Sequence, residues 1–343
     1  MLKTKIDLRS DTITLPTSEM METIPQTSLG DDILGEDPTV RKLEKKAARI
    51  LGMEDALLVI SGTMANQIAL MNFSQRGQEV IVGKDSHMYN MESAGISALS
   101  QVQVRLVDVI NGYYNPDNIE ESISLGDIQK PKTALICLEN TYDLNGGYSV
   151  TIDNMKEIRE VANKYNIPIY LDGARIFNAA TALDVKPKSL CDHVDAVQFC
   201  LTKGLGCPLG SILAGSERFI KLAKFNRQRL GGGMRQAGII AAPAIYALDN
   251  MVERLKEDNK QARYLGKCIS NNSNIKINEI QTNIVSLSIK HQEWNADKLI
   301  KYLREKNILV KKIGNHKIRM VIHYQITGED IKYVISTLNN LFT

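Results

Sequence analysis

A lysine at the end of an apolar strand is the first residue of this chain that is placed to do chemistry. The apolar run from Asp195 to Leu201 leads into Thr202-Lys203, and three glycines follow within seven residues. A lysine amine becomes a usable nucleophile when burial or a neighbouring cation lowers its pKa. We therefore predict that Lys203 holds a cofactor covalently. The alternative is an ordinary loop lysine, which a Lys-Gly pair alone would favour.

An acid at the end of a second apolar strand indicates which cofactor this is. The segment Tyr170-Leu171-Asp172-Gly173-Ala174-Arg175 ends a predicted strand, and α/β proteins bind ligands at the carboxyl ends of parallel strands. A carboxylate that faces a pyridine nitrogen keeps it protonated, so that the ring accepts electrons from a carbanion. Asp172 and Lys203 together predict pyridoxal phosphate. The alternative is an Asp172–Arg175 pair that caps the next helix.

Two glycine-containing segments are candidates for binding the cofactor phosphate. Ser61-Gly62-Thr63 leads from a strand into a helix, and a helix N-terminus attracts anions through its free N–H groups and its dipole. The segment from Gly231 to Arg235 has three glycines that allow close backbone approach, and its arginine could donate charge-assisted hydrogen bonds. The alternatives are a plain N-capped helix and an interdomain hinge.

His87 and Arg319 are candidates for contacts with the cofactor ring and the substrate. His87 follows a predicted strand, where an imidazole could stack on a flat ring or transfer a proton near neutral pH. A histidine bonded to a backbone carbonyl is the commoner arrangement and stays open. Arg319 interrupts an apolar strand, where it could bind a substrate carboxylate or point to solvent.

The elements that must position these residues alternate between strand and helix from Asp55 to Ala214. The strands are near-continuous apolar runs, which is typical of a sheet covered by helices on both faces. We therefore predict an α/β fold with a mostly parallel sheet, followed by a small α+β unit. The expected domains are 1–250, an N-terminal arm with the large cofactor-binding domain, and 251–343, the small C-terminal domain. Helices are predicted over 38–51 and from His87 to about Leu99, and a strand over 307–311.

Composition and charge exclude several classes of protein. The 343 residues are 43% hydrophobic and 24% charged. The net charge of +3 comes without a long basic run, so no nucleic-acid partner is expected. We expect no signal peptide, because charges interrupt the first residues, and we expect no membrane span, because no apolar run is long enough. Five cysteines without Cys-x-x-Cys spacing predict reduced thiols in a cytoplasmic protein, rather than disulfides or a metal site.

Taken together, blocks spread over the whole chain resemble the low-specificity L-threonine aldolases, a β-eliminating-lyase group of fold type I pyridoxal-phosphate enzymes. Several blocks that match in order are far more specific than any one motif. The resemblance implies a large domain with a mostly parallel seven-stranded sheet and a small α+β domain. It also implies a homo-oligomer, a tetramer or dimer of dimers, with active sites at subunit interfaces. The blocks are Asp7-Leu8-Arg9-Ser10-Asp11-Thr12, Gly30-Asp31-Asp32, Glu36-Asp37-Pro38-Thr39, Ser61-Gly62-Thr63-Met64-Ala65-Asn66, Asp172-Gly173-Ala174-Arg175-Ile176-Phe177-Asn178, Thr202-Lys203-Gly204-Leu205-Gly206 and Gly231-Gly232-Gly233-Met234-Arg235-Gln236.

The resemblance also implies a role for each candidate residue. Lys203 would bind pyridoxal phosphate as a Schiff base, Asp172 would pair with the pyridine nitrogen, and His87 would stack on the ring. Arg235 could reach the phosphate from a neighbouring subunit. The residues implied in cofactor binding are Lys203, Asp172, His87, Gly62, Thr63, Arg175 and Arg235. Those implied at the substrate carboxylate are Ser10, Arg175 and Arg319, and those implied in catalysis are Lys203, His87 and Tyr142.

Two positions depart from the family pattern. Tyr142 stands where the family has histidine, and Leu34 stands where it has tyrosine. A tyrosine, with an ordinary pKa of about 10 against about 6.5 for histidine, is a poorer general base. The expected activity is retro-aldol cleavage of L-threonine, L-allo-threonine or a related β-hydroxy-α-amino acid to glycine and an aldehyde. The alternatives are β-elimination on another amino acid and a non-catalytic scaffold on the same fold.

Overall fold

Two principal β-sheets and the helices around them form the part of the chain that the structure describes. This computed structural model describes residues 5–144, 146–270 and 272–341. None of the described helices combines the length and the apolar composition needed to cross a bilayer. The strands are β1 (Ile6–Asp7), β2 (Asp55–Val59), β3 (Glu79–Gly83), β4 (Gln103–Val107), β5 (Val109–Ile110), β6 (Tyr113–Tyr114), β7 (Thr133–Glu139), β8 (Ile169–Asp172), β9 (Ala196–Cys200), β10 (Ser211–Gly215), β11 (Ile275–Ile277), β12 (Ile284–Ile289), β13 (Ile308–Leu309), β14 (Lys311–Gly314) and β15 (Lys317–Val321). The helices are α1 (Ser18–Glu22), α2 (Pro38–Leu51), α3 (Gly62–Phe73), α4 (His87–Asn90), α5 (Gly95–Ala98), α6 (Pro116–Ser122), α7 (Ile152–Tyr165), α8 (Ile176–Leu183), α9 (Pro187–Cys191), α10 (Glu217–Arg229), α11 (Gly238–Asn250), α12 (Leu255–Ile269), α13 (Ala296–Glu305) and α14 (Gly328–Asn339), with a 3-10 turn at Asp11–Ile13.

The larger sheet confirms the predicted seven strands, in the order β2-β10-β9-β8-β7-β3-β4. Among its described strands, β10 runs antiparallel to both neighbours, and the others run parallel to one another. Strands β3, β9 and β10 are buried along their whole length. One face packs on α2, α7, α8 and α11, and the other packs on α3 and α10. Covered on both faces, these strands have no polar side to present, which explains their continuous apolar sequences.

The smaller sheet is antiparallel, with the strand order β11-β12-β15-β14. Its apolar face packs on α12, α13 and α14 through residues such as Leu265, Leu299 and Val334. The N-terminal strand β1 pairs in parallel with β13, and Ile6 and Leu8 lie in this second core. The N-terminus is thus bound to the C-terminal sheet, while the division of the chain at residue 250 stays a prediction.

Some predicted elements differ from those of the structure. The helix expected from His87 to about Leu99 is wrong, because α4 and α5 are separate short turns. Between them Ser93 and Ala94 have φ angles of 51° and 60°, in the left-handed region that interrupts a right-handed helix. The strand expected over 307–311 is divided into β13 and β14, and α10 lies where no helix was predicted.

A single buried carboxylate fixes the start of two helices. Asp37 Oδ1 accepts hydrogen bonds from the N–H groups of Thr39 and Val40 in α2, both at 3.0 Å. Asp37 Oδ2 accepts from Gly238 N at the start of α11 (2.9 Å) and from Gly30 N (3.2 Å). Four donors compensate the desolvation of this fully buried group.

Replacing Asp37 by alanine is expected to lower the free energy of unfolding by about 2–4 kcal/mol, because buried N–H groups lose their acceptor along with a helix cap. Ser216→Ala is the matched control. It removes a cap that accepts from Phe219 N (3.2 Å) in α10, and it should cost about 1 kcal/mol. Urea unfolding measures both losses. Equal losses would show that Asp37 fixes no more than one helix end.

Candidate active site

Three buried polar side chains stand side by side at the carboxyl ends of β7, β8 and β9. Glu139 is the register partner of Asp172, and Asp172 is the register partner of Gln198. Lys203 lies three residues after the end of β9. Because parallel α/β sheets bind ligands at this edge, the structure brings Asp172 and the loop of Lys203 to one binding region.

The Asp172 carboxylate is held by three hydrogen-bond donors. Gln198 Nε2 donates to Oδ1 at 2.5 Å, and the Ala174 N–H donates to the same oxygen at 3.1 Å. Asn66 Nδ2 donates to Oδ2 at 2.8 Å. A buried carboxylate is stable as an anion when such donors replace its water. Asp172 is therefore built as a fixed negative charge.

His87 is joined to Asp172 through two intervening side chains. His87 Nδ1 lies 2.9 Å from Glu92 Oε1, and Asn66 Nδ2 donates to that same Glu92 oxygen at 2.7 Å. Tyr170 OH donates to Asn66 Oδ1 at 2.8 Å, which orients the amide. The Glu92 side chain is fully buried, whereas 36% of the His87 side chain is exposed. The imidazole is thus held by a buried carboxylate at Nδ1, while part of the side chain remains exposed.

Glu139 links His87 to the loop that follows β7. Its Oε2 accepts from the His87 N–H at 2.6 Å, and its Oε1 accepts from the Asp143 N–H at 3.0 Å. Burial and the neighbouring Asp172 raise the pKa of Glu139 well above its ordinary value. Glu139 thus ties the backbone of His87 to the backbone of the loop after β7.

The N-terminus of α3 lies against the strand that leads to Lys203. A Cβ on Gly62 would lie 2.9 Å from Cys200 Sγ and 3.3 Å from the Gln198 side-chain amide, so this position requires glycine. Ser61 caps the helix by accepting from Met64 N (3.2 Å), and Thr63 is exposed beside it. The positive end of this helix is therefore open towards the site and suits an anion.

At the other end of the site, Arg175 forms a buried pair with Asp11. Its Nε and Nη2 atoms donate to the two Asp11 oxygens at 2.8 and 2.6 Å. Asp143 Oδ2 contacts Nη1 of the same guanidinium. Burial by itself raises the pKa of Asp11, but the attraction and hydrogen bonds of Arg175 outweigh it and lower this pKa to about 2.

Arg319 and Ser10 lie beside this pair. Arg319 projects from β15 and is buried, and its Nε has no hydrogen-bond partner among the described residues. Burial, and then the nearby positive charge of Arg175, lower its pKa to about 10. Ser10 caps the 3-10 turn that begins at Asp11, through a 3.2 Å bond from the Thr12 N–H. The predicted carboxylate-binding residues therefore converge on one spot.

Lys203 lies between the two ends of the site. Thr14 Oγ1 is within hydrogen-bond distance of the carbonyl oxygens of Lys203 (3.1 Å) and Asp11 (2.9 Å). The Lys203 ammonium interacts electrostatically with the carboxyl groups of Asp11 and Glu139. The loop of Lys203 is thus attached to the N-terminal segment that carries Asp11.

The structure does not bring the Tyr142 hydroxyl into this arrangement. Tyr142 is fully buried, and its hydroxyl accepts from the Asp85 N–H at 2.8 Å. Its ring packs edge-on against Tyr114, with centroids 5.9 Å apart. Burial raises the pKa of Tyr142 above its ordinary value. A phenol held neutral in the core gives no support to the role of general base.

Arg235 is also apart from the cluster. Its side chain is 59% exposed and pairs with Asp31 at 2.7 Å. No contact among the described residues joins it to Asp172 or Arg175. Leu34, the second departure from the family pattern, is exposed in the same loop as Asp31.

The sequence predictions gave no role to several residues of the site, among them Glu139, Glu92 and Asp143. Glu139 could have been predicted from the sequence, because it ends an apolar strand as Asp172 does. Glu92 and Asp143 could not, because they lie in irregular segments where no periodicity indicates which side chains point inward.

The Asp11–Arg175 pair predicts a specific dependence of stability on pH. The folded-state pKa of Asp11, about 2, lies below its ordinary value of 3.8. Its contribution is therefore present above pH 3.8 and is lost as the pH falls towards 2. We expect the difference in unfolding free energy between the parent and Asp11→Asn to shrink by about 2 kcal/mol between pH 5 and pH 2. Urea titrations measure it, with Glu253→Gln as an exposed control. A difference that is constant with pH would contradict this assignment.

The sequence is similar to those of known enzymes over nearly its whole length. Residues 7–292 match the β-eliminating lyase family. Low-specificity L-threonine aldolase 1 of Arabidopsis thaliana is 40% identical over 98% of this chain and 96% of its own length. Low specificity L-threonine aldolase of Escherichia coli (strain K12) is 37% identical over 96% of this chain and 97% of its own.

Solved structures share the fold. Leishmania major threonine aldolase superposes with a TM-score of 0.84 at 17% identity, over 98% of this chain and 100% of that chain. A structure of SPT with PLP superposes with a TM-score of 0.77 at 16% identity, over 98% of this chain and 86% of that one. The family match and the near full-length relatives together show that this chain belongs to the β-eliminating lyase family, with the low-specificity L-threonine aldolases.

Proposed function

We propose that this chain is a pyridoxal-phosphate-dependent aldolase that cleaves L-threonine, L-allo-threonine or a related β-hydroxy-α-amino acid to glycine and an aldehyde. The observation that carries the proposal is the arrangement around Lys203. A fixed buried anion, Asp172, lies on one side, and two buried guanidinium groups, Arg175 and Arg319, lie on the other. The first suits a pyridinium nitrogen, and the second suits the carboxylate of an amino acid.

The residues present fit pyridoxal phosphate. Asp172 has the buried, hydrogen-bonded carboxylate that a protonated pyridine nitrogen requires. The α3 N-terminus has the open N–H groups and the glycine at position 62 that a phosphate requires. The exposed face of His87 suits stacking on a flat ring. When bound, the cofactor supplies an electron sink that stabilises the carbanion left by cleavage of the Cα–Cβ bond.

The protein's own residues decide which bond of the substrate is cleaved. Arg319, with a buried Nε available, would bind the substrate carboxylate, and Arg175 and Ser10 would complete this contact. Fixing the carboxylate fixes the rotation about the bond between Cα and the amino group. Cleavage then requires a group that removes the proton of the β-hydroxyl. His87, whose side chain is 36% exposed, is the candidate base, and an ordered water is its alternative.

We also propose a cytoplasmic homo-oligomer. Arg235 is exposed at the end of a glycine-rich segment and is placed to contact another subunit better than its own site. The cysteines are free thiols, and all except Cys268 are buried, which suits a reducing compartment.

A substrate panel tests the function. The parent should release acetaldehyde and glycine from L-threonine or L-allo-threonine, whereas Lys203→Ala should be colourless and inactive. Lys188→Ala, at an exposed lysine of α9, is the matched control and should keep both colour and activity. Absence of aldehyde release from every β-hydroxy amino acid tested would refute the proposal. Release of pyruvate and ammonia from serine would instead indicate that the enzyme catalyses β-elimination.

The position of Tyr142 gives a second test. Tyr142→Phe removes the acceptor of the Asp85 N–H, so the free energy of unfolding should fall by about 1–3 kcal/mol. Because the hydroxyl is in the core, kcat for aldehyde release should stay within about twofold of the parent, whereas His87→Asn should lose about 100-fold or more. A large loss of kcat in Tyr142→Phe at full cofactor occupancy would restore Tyr142 as a catalytic residue.

A further inference from the structure

The guanidinium of Arg175 has a carboxylate on each of its edges. Asp11 takes Nε and Nη2 in a bidentate pair, and Asp143 takes Nη1. The same guanidinium is predicted to bind the carboxylate of the substrate. An incoming carboxylate must therefore compete with one of these two acids.

The two acids differ in how firmly they are held. Asp11 is completely buried, makes two hydrogen bonds to Arg175 and lies near Asn283 Nδ2 at 3.4 Å. Asp143 makes one contact with Arg175, and 9% of its side chain is exposed, whereas the Asp11 side chain is not exposed at all. Its other oxygen, Oδ1, accepts from Thr141 Oγ1 at 2.8 Å. The bidentate pair is the stronger one, so Asp143 is the acid that an incoming carboxylate displaces.

The turn that carries Asp143 directs its side chain to Arg175. Asp143 lies in the turn between Tyr142 and Tyr148, whose backbones pair as an isolated bridge. Gly146 and Gly147, with φ angles of 122° and 76°, lie within the same turn. Tyr142 anchors one end in the core. Asp143 is thus the side chain that this turn presents to the site.

We propose that Asp143 is a specificity-determining residue, which occupies the place of the substrate carboxylate on Arg175 and yields it to an amino acid. This inference rests on the proposed function. A simple carboxylate must displace Asp143 with its own affinity alone. An amino acid whose amino group is already held at the Lys203 end presents its carboxylate at a high effective concentration. Asp143 therefore excludes small carboxylates more strongly than it excludes substrates.

Acetate binding to the holoenzyme tests this proposal without turnover. The dissociation constant of acetate is measured from the broadening of its proton resonance, at constant ionic strength, for the parent, Asp143→Asn and Glu329→Gln. The last variant removes one exposed charge on α14 as a control. Because the competing anion is gone, Asp143→Asn should bind acetate about 10-fold more tightly than the parent, with glycine displacing it. Glu329→Gln should bind acetate as the parent does.

Equal acetate affinity in the parent and Asp143→Asn would overturn the proposal, as would tighter binding that glycine does not displace. Asp143→Ser serves as a second variant if the asparagine protein unfolds, since a hydroxyl keeps the turn polar without the charge. The two proposals fail separately. Loss of aldehyde release from all substrates refutes the aldolase, while the acetate measurement still decides whether Asp143 competes for Arg175.

Discussion

A buried negative charge at the end of β8 constrains the whole cofactor end of the cleft. A carboxylate inside a protein is costly unless hydrogen-bond donors replace its water. For Asp172 these donors come from α3, through Asn66, and from β9, through Gln198. These hydrogen bonds therefore fix the position of α3 along the strands of the sheet. In this position Gly62 lies against β9, and the N-terminus of α3 lies near the strand that leads to Lys203.

Two buried guanidinium groups with unequal surroundings form the other end of the site. Burial, and then the positive charge of Arg175, lower the pKa of Arg319, whereas the effect of burial on Arg175 is outweighed by Asp11, which raises its pKa. Asp11 and Asp143 offset Arg175, and no contact among the described residues gives Arg319 an ion-pair partner. A carboxylate bound here would give Arg319 such a partner, because a buried charge is costly when it has none.

The sequence predicted the parts of this site that regular structure positions. Apolar strands that end in Asp172 and near Lys203, and the glycine that begins α3, follow from periodicity and from the rule that ligands bind at strand ends. Side chains in irregular turns could not be predicted. Tyr142 and Asp143 are adjacent, and only the backbone path of the turn decides that the first enters the core and the second faces Arg175. The inward position of Glu92 could not be predicted, because Ser93 and Ala94 have left-handed backbone conformations that interrupt the predicted helix.

The N-terminal segment fixes the distance between the two ends of the substrate. Leu8 O accepts from the Val321 N–H at 2.9 Å on the strand of Arg319, and Thr14 reaches the Lys203 carbonyl oxygen. Asp11, between them, binds Arg175. The spacing between the loop of Lys203 and the strand of Arg319 is therefore set by contacts of residues 8–14. The turn after β7 joins this segment through Asp143, which contacts the same Arg175 that Asp11 binds. Tyr142, one of the two positions where this chain departs from the family pattern, thus adjoins the residue that completes the contacts of Arg175.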